Sequence, residues 1–506
     1  SWDAAALRLG MAQASAGDRR SAIATYRELL NKMRDSSFAP RAWYEIGLLA
    51  ISLDEQDQAI EAFEHAAQTG DQKIALSAYQ QLGMLAERSG DHALAAKHFE
   101  QAARYDEASA SSKISQAQAL LAAGEDREAV AVLSRFAPQD LDLAQRATVS
   151  ALLTLGYSMA GDEANVIQSS EAFRTGGGGL DLLDAHLASG VLYKRARALR
   201  GSDDARDAER TFKLLIERYP DSTYAANSML EIAAIAMADN RYEESLEQCD
   251  AILHQRDTIV PVLVDQAIYR KGVSARKLGD LETAAEVLSE LADRTPMDEV
   301  SASAALIAGE SYLELGRMSR AEAMFEAATE SGIESVMPVA LLRLGESRVA
   351  LQRWAAAEES YTAFLDRYSS DARAYLALFG RAWSLENQGR HDDAIAVYHA
   401  VLAQHDGETA ARSQFQIGEC LYAQKQYEDA AKEFLRVDLV YAYPQWSAGA
   451  LYEAGRCFEE LDRETDAIAQ FEQVIDRFGE TQWAELASQR LGRYRHNDRQ
   501  FEQQGG

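Results

Sequence analysis

Small and large apolar positions recur along this chain in a fixed relation: an alanine, then an aromatic four residues later. The pair stands at Ala22–Tyr26, Ala59–Phe63, Ala95–Phe99, Ala208–Phe212, Ala321–Phe325, Ala357–Tyr361, Ala394–Tyr398, Ala430–Phe434 and Ala467–Phe471. Residues four apart lie one above the other on a helix, so each pair marks a buried stripe. Fainter copies at Ala129–Leu133, Val166–Ser170, Ser245–Cys249 and Ala284–Leu288 occupy most of the gaps. Ala59 to Ala95 spans 36 residues and Ala430 to Ala467 spans 37. Self-similarity at such a period signals one repeat array, not a string of unrelated globular domains.

Each unit reads as two amphipathic helices. Between Val300 and Gly332, Ala305, Ala308, Gly309 and Tyr312 share one face of a first helix. Gly316 ends it, because glycine tolerates the left-handed turn after a helix. Ala321, Phe325 and Ala328 then line a second helix. The alanine permits close approach within the pair, and the aromatic fills the space towards the next. In this frame Pro40, Pro138, Pro220, Pro261, Pro296, Pro338 and Pro444 all fall at or near junctions. A residue without an N–H does no damage there.

These features resemble the tetratricopeptide repeat family, in which Leu-Gly, Tyr, then Ala, Phe, Ala and Pro recur at set positions. The Leu-Gly step stands here as Leu9-Gly10, Ile46-Gly47, Leu82-Gly83, Leu344-Gly345 and Ile417-Gly418, and Pro220 and Pro296 take the terminal proline. The resemblance covers nearly the full length, about thirteen units. It implies an all-α fold of helix-turn-helix repeats stacked into a right-handed superhelical solenoid. The spacing exceeds the family's usual ~34 residues. Units such as FKLLIERYPDSTYAANSMLEIA, from Phe212, and FEQVIDRFGETQWAELASQRLG, from Phe471, belong to a looser bacterial variety. They look like repeats of two envelope proteins: the periplasmic coordinator of the Tol–Pal machinery and the helical lipoprotein of the outer-membrane β-barrel assembly machine.

Between Ala129 and Ala208 the beat fades, with Thr154, Val166 and Ser170 at signature positions. Gly176-Gly177-Gly178-Gly179 follows, a composition suited to a flexible, helix-free stretch. The expected organisation is an N-terminal array over 1–175 (about five units, the last degenerate), a glycine-rich joint over 176–180, and a C-terminal array over 181–495. The latter holds about eight units and a capping helix whose stripe is Trp483, Leu486 and Leu491. Residues 176–179 fit either a hinge or a long loop in a continuous array. Residues 496–506 are polar and are expected to form a disordered tail.

Composition narrows the function classes. The 506-residue chain is 47% hydrophobic with only 7 prolines, enough to bury a helical core. Its formal net charge of −29 argues against general nucleic-acid binding, which needs Lys and Arg to displace counterions. It equally disfavours docking on an anionic membrane surface. No apolar run approaches the ~18–20 residues of a membrane-spanning helix. Opening on Ser1, the chain is expected to be a processed or excised form, with any targeting segment upstream. Cys249, Cys420 and Cys457 make no disulfide framework. Cys420 and Cys457 hold equivalent positions on successive first helices, whose axes lie ~8–10 Å apart. A disulfide needs Cα atoms within ~7 Å, so a bridge there requires local convergence.

No Walker-type loop, HExxH, GxSxG or paired CxxC is present. His391, His399 and His405 are spaced so that one short helix cannot converge them on a metal. No catalytic residue, cofactor or metal is therefore expected, and no span outside the repeats is long enough for a catalytic domain.

Ala59, Phe63, Ala95, Phe99, Ala321, Phe325, Ala430, Phe434, Ala467 and Phe471 are assigned to packing, so specificity must lie on the faces they leave free. In the family, first helices line the inner side of the superhelix. Alignment on the alanines puts Tyr269, Arg276, Lys277, Arg343, Phe379, Trp383, Phe415, Tyr422 and Tyr452 there. Aromatics in such a groove suit an extended peptide or a partner helix; the same rings could instead fill gaps between first helices. Glu310, Glu314, Glu346, Glu386, Glu419 and Glu459 add an acidic set, and Arg412 a further cation. No three successive units supply the Lys, Asn and Arg cluster with which chaperone-binding members grip a C-terminal carboxylate.

The expected function is a non-enzymatic protein–protein interaction scaffold of a bacterial cell envelope, periplasmic or outer-membrane associated. Its partners would be proteins or peptides, membrane-protein complexes of the envelope among them, and not nucleic acid. A cytoplasmic assembly or regulatory adaptor is one alternative. An accessory subunit of an envelope transport or polysaccharide-export complex is another.

Overall fold

The computed structural model describes residues 1–504 except 69, 107–109, 203 and 294–296, with side chains described through residue 494. Pro296 and the last two residues of the expected tail lie outside the described residues. Every regular element among the described residues is helical. The chain divides into two compact units, Ser1–Asn240 and Arg241–Gly506.

The first unit opens with four helical pairs: α1 (Trp2–Ser15) and α2 (Arg19–Lys32), α3 (Ala39–Ser52) and α4 (Gln56–Ala67), α5 (Gln72–Arg88) and α6 (His92–Tyr105), α7 (Ala110–Ala123) and α8 (Asp126–Leu133). It continues with α9 (Leu143–Met159), α10 (Glu163–Ser169), α11 (Ala185–Gly201), α12 (Ala205–Arg218) and α13 (Ala225–Ala238). The second unit begins with α14 (Tyr242–Leu253), α15 (Pro261–Lys277), α16 (Leu281–Ala292), α17 (Glu299–Glu314), α18 (Met318–Glu330), α19 (Met337–Ala350) and α20 (Trp354–Tyr368). There follow α21 (Ala374–Asn387), α22 (His391–Gln404), α23 (Glu408–Ala423), α24 (Tyr427–Arg436), α25 (Pro444–Glu460), α26 (Glu464–Phe478) and α27 (Gln482–Gln504).

Local chemistry sets the turns. Gly90 takes φ +81°, a conformation strained for a side chain, and Asp91 then accepts from the Leu94 amide at 3.0 Å to cap α6. Asp18, Asp162, Asp204 and Asp280 cap α2, α10, α12 and α16 in the same manner. Pro40, Pro261, Pro338 and Pro444 sit in the first turns of α3, α15, α19 and α25. Pro138 opens a short 3₁₀ turn, and Pro220 lies between α12 and α13.

The alanine–aromatic signature forms the core, with all ten signature residues buried. In the five signature pairs each ring of the second helix lies on a first-helix glycine of its own pair, whereas Phe212 and Tyr398 meet Ala196 and Ala382 at that place in the repeat. A Cβ on Gly47 would meet the Phe63 ring at 2.5 Å; on Gly83, Phe99 at 2.6 Å; on Gly418, Phe434 at 2.6 Å; on Gly455, Phe471 at 2.5 Å. The Leu-Gly step and the aromatic are thus two halves of one contact.

The faded stretch is held by polar side chains. Thr154 and Ser170, which stand where a glycine and a ring meet elsewhere, are fully buried. Arg195 of α11, 1% exposed, donates to the Ile167 carbonyl at 2.9 Å, to Ser170 Oγ at 3.2 Å and to Glu171 Oε2 at 2.8 Å.

Residues 176–179 join two packed side chains. Phe173 and Leu180 flank the run, and both are fully buried in one cluster with Ala147, Val191 and Leu192. Gly178 has φ +67°, and a Cβ there would stand 2.3 Å from the Ala172 carbonyl oxygen. The run lies inside the first unit, and the chain divides in the turn after α13.

At the end of the second unit, α27 turns Ala484, Ala487 and Leu491 inward, while Leu486 is 37% exposed. Of the expected stripe, Leu491 is buried and Trp483 packs against the same cluster, while Leu486 turns outward. The Trp483 ring lies 5.4 Å from that of Tyr452. α27 continues to Gln504, through most of the segment expected to be a disordered tail.

Candidate functional site

With the glycine of a first helix (Ala382 in α21) turned to its own second helix, positions three before, one after and four after it form a stripe on another face. In the second unit that stripe carries Tyr269 and Arg276 on α15, Glu310 on α17 and Glu346 on α19. It continues with Phe379, Trp383 and Glu386 on α21, Phe415, Glu419 and Tyr422 on α23, and Tyr452, Arg456 and Glu459 on α25. Most are half-buried.

At one end the stripe is charged and internally paired. Arg276 Nη2 lies 2.6 Å from Glu314 and 3.5 Å from Glu310, and Nη1 donates to Ser311 Oγ at 3.0 Å. Arg343 reaches Glu346 at 2.7 Å and Glu310 at 3.7 Å. Glu310 is therefore shared between α15 and α19. Lys277 stays exposed and lines, with Arg276, Val273, Ile307 and Glu314, an open cavity of about 490 Å³.

Further along, rings dominate. Phe379 and Trp383 stack at 6.4 Å between centroids. The Arg412 guanidinium of α23 lies 4.5 Å from the Phe379 centroid, 5.3 Å from Trp383 and 5.9 Å from Trp446 of α25. Phe415 lies 5.7 Å from Trp446. The inner faces of these rings serve the core. Phe379 tilts on Tyr398 at 5.7 Å, Phe415 on Phe434 at 5.2 Å and Tyr452 on Phe471 at 5.6 Å.

Carboxylates between the first helices are desolvated. Burial raises Glu386, which accepts from the Tyr398 hydroxyl at 2.7 Å and from Gln416 Nε2 at 3.1 Å. Burial and the Glu453 carboxylate push Glu419 up to about 7, against the pull of Arg456. Glu453, 6% exposed, is itself raised by burial and is paired with Arg456 at 2.7 Å. Arg456 also covers the Tyr422 ring at 4.7 Å and donates to its hydroxyl at 3.0 Å. Glu459 is held by Arg490 and by the Tyr494 hydroxyl at 2.9 Å.

The three cysteines are free and buried, and burial pushes the Cys249 thiol up to about 11 and that of Cys457 to about 12. His405 stacks on Tyr375 at 4.0 Å. Among the described residues no group of three His, Cys, Asp or Glu side chains is placed to hold a metal ion. None of their helices is long and apolar enough to cross a membrane.

Two family models, both described as tetratricopeptide repeat, match the chain. One covers residues 7–73, 81–142, 269–335, 342–409 and 379–445, and the other 191–222 and 449–481. The chain belongs to the tetratricopeptide repeat family. Such repeats generally act as scaffolds for protein–protein interaction. No curated protein matches this tetratricopeptide repeat chain in sequence. Among solved structures, it is similar to a tetratricopeptide repeat protein from Parabacteroides merdae, at 18% identity over 53% of this chain and 98% of that one, TM-score 0.32. It is similar to YrrB, a tetratricopeptide repeat protein with an unusual peptide-binding site, at 17% identity over 41% and 100%, TM-score 0.33. The C-terminal part of a repeat-containing protein from Cytophaga hutchinsonii gives 12% identity over 51% and 98%, TM-score 0.41.

Of the tetratricopeptide groove residues expected from sequence, Arg276 and Arg343 come together through Glu310, and Phe379, Trp383 and Phe415 gather round Arg412. Tyr422 joins Arg456 and lies 5.2 Å from Tyr427. Lys277 stands apart, and Tyr269 packs beside Ile268 and Leu288. Tyr452, 6% exposed beneath Trp483, is a core residue and offers little surface to a partner. Trp446, Gln416 and Glu453 escaped the sequence reading. Trp446 follows Pro444 at the head of α25, ahead of the stretch that the alanine signatures align.

Proposed function

We propose that this chain is a non-enzymatic interaction scaffold that holds an extended peptide or a partner helix on the first-helix face of its second unit. The observation that carries the reading is the gathering of Phe379, Trp383, Arg412, Phe415 and Trp446 from three successive first helices. Rings in contact with solvent on one side and with core on the other are rigid, and they provide apolar area at low entropic cost. The reading extends to a bacterial envelope setting, supported by the likeness of the Phe212 and Phe471 units to envelope repeats.

A photo-crosslinking residue placed at Trp383, and separately at exposed Lys432 on α24, tests the face in the native cell. Capture of a protein from position 383 and not from 432 is the expected result. Equal capture at both, or none at 383, rules the face out. Cell fractionation of the natural protein tests the setting: recovery in the periplasm or with the outer membrane is expected, and recovery in the cytoplasm favours an assembly adaptor.

A further inference from the structure

Arg412 differs from the other arginines of this face. Arg276 is paired with Glu310 and Glu314, Arg343 with Glu346, Arg456 with Glu453, and Arg490 with Glu459. Arg412, among the described residues, has three rings about it and no carboxylate in ion-pair or hydrogen-bond contact. The carboxylate on its own helix, Glu408 one turn earlier, feels the Arg412 charge through space but accepts its hydrogen bonds from elsewhere. Its Oε1 accepts from Gln445 Nε2 at 2.9 Å and from Trp446 Nε1 at 3.1 Å.

Aromatic rings hold a guanidinium by their π faces and leave the N–H donors available. Those donors form a planar fork that matches a carboxylate in two parallel bonds. An arginine whose orientation is already fixed by rings loses less freedom on forming that pair than an exposed, mobile one. The neighbours on either side also matter. Trp383 belongs to α21 and Trp446 to α25, so apolar surface lies both before and after Arg412 along the row of first helices. That arrangement suits a segment passing across the site, with an apolar residue on each side of its acid.

We propose that Arg412 receives the side-chain carboxylate of an Asp or Glu within an extended partner segment, whose flanking apolar residues rest on Trp383 and Trp446. The inference rests on the reading of this face as a protein-binding surface. The net charge of −29 does not oppose it at contact range, because salt screens exposed charges beyond ~8 Å at physiological ionic strength. Recognition is then set locally, by one unpaired cation among rings.

The probe is a display library of random dodecapeptides inserted between two carrier domains, so that no free terminal carboxylate is offered. It is selected against the full chain and counted against Arg412→Ala, Arg412→Lys and Trp383→Ala variants whose helical content is verified by circular dichroism. The expected result is a set of binders that carry Asp or Glu and lose at least ten-fold in affinity when that residue becomes Asn or Gln. They should lose as much against Arg412→Ala and recover only partly against Arg412→Lys, which keeps the charge and lacks the fork. Binders that need Trp383 but are indifferent to Arg412→Ala, or whose acids are replaceable without loss, overturn the carboxylate inference and leave the binding face standing. A library that yields no binder dependent on Trp383 overturns both.

Discussion

A Cβ placed on Gly309 would stand 2.6 Å from Cε1 of Phe325, so the backbone of α17 and the ring of α18 occupy adjoining space with nothing between them. This contact explains why the two signatures travel together along the chain. The ring covers the glycine, and the glycine makes room for the ring.

Phe325→Ala should cost about 3–5 kcal/mol, as for a truncated core aromatic. Gly309→Ala should also destabilise, by roughly 1–3 kcal/mol of overpacking, although an exposed helical glycine normally gains from the same change. Gly309→Ala combined with Phe325→Leu should recover part of that loss. Denaturant unfolding of the three variants checks this, and a stabilised Gly309→Ala chain contradicts the contact.

Arg195→Met should loosen residues 163–173 selectively. The substitution leaves the Ser170 hydroxyl and the Ile167 carbonyl each with one donor fewer, at a cost of roughly 2–4 kcal/mol. Hydrogen exchange should show faster amide exchange at α10 and unchanged rates at α3 to α6. Uniform rates throughout would mean that the arginine does not brace this stretch.

Stability should depend on pH through Glu419. A glutamate ordinarily titrates at 4.5, and burial pushes the folded-state value of Glu419 up to about 7. Between these values the folded chain keeps a proton that the unfolded chain has released, so stability falls as pH rises through the window and the full cost is present above it. Glu386 and Glu453 are raised as well and add in the same direction. Glu419→Gln should stabilise the chain at pH 8 by roughly 1–3 kcal/mol and leave it nearly unchanged at pH 4. Thermal unfolding at the two pH values provides the comparison, and an equal gain at both refutes the titration.

Trp383→Ala should cost well under half of what Phe325→Ala costs, about 1 kcal/mol, because the ring is half-buried and rests on Arg412. Unfolding measurements on the two variants side by side decide it. A loss equal to that of Phe325→Ala would make Trp383 a core residue.

The periodic parts of this protein were legible before any coordinates. The beat, the prolines at helix starts and the first-helix stripe all follow from the spacing of small, aromatic and breaking residues. What escaped depends on contacts between distant positions. Arg195 looks like any arginine until Thr154 and Ser170 are seen to be buried beside it. Tyr452 aligns with Phe379 and Phe415, yet Trp483 of α27 covers it. Arg412 stood out only as one cation among several, since its lack of a carboxylate is visible only once Glu408 is seen to turn to Trp446.

The four glycines have a practical consequence. A tetraglycine run is the natural place to cut a long chain into fragments or to insert a reporter. Here a protease should pass over it in the folded protein, because a strand pulled into a cleavage pocket would first have to draw Phe173 and Leu180 out of their cluster. A fragment ended at residue 175 would carry that opened cluster into water and should precipitate. A side chain introduced at Gly178 would collide with the Ala172 carbonyl.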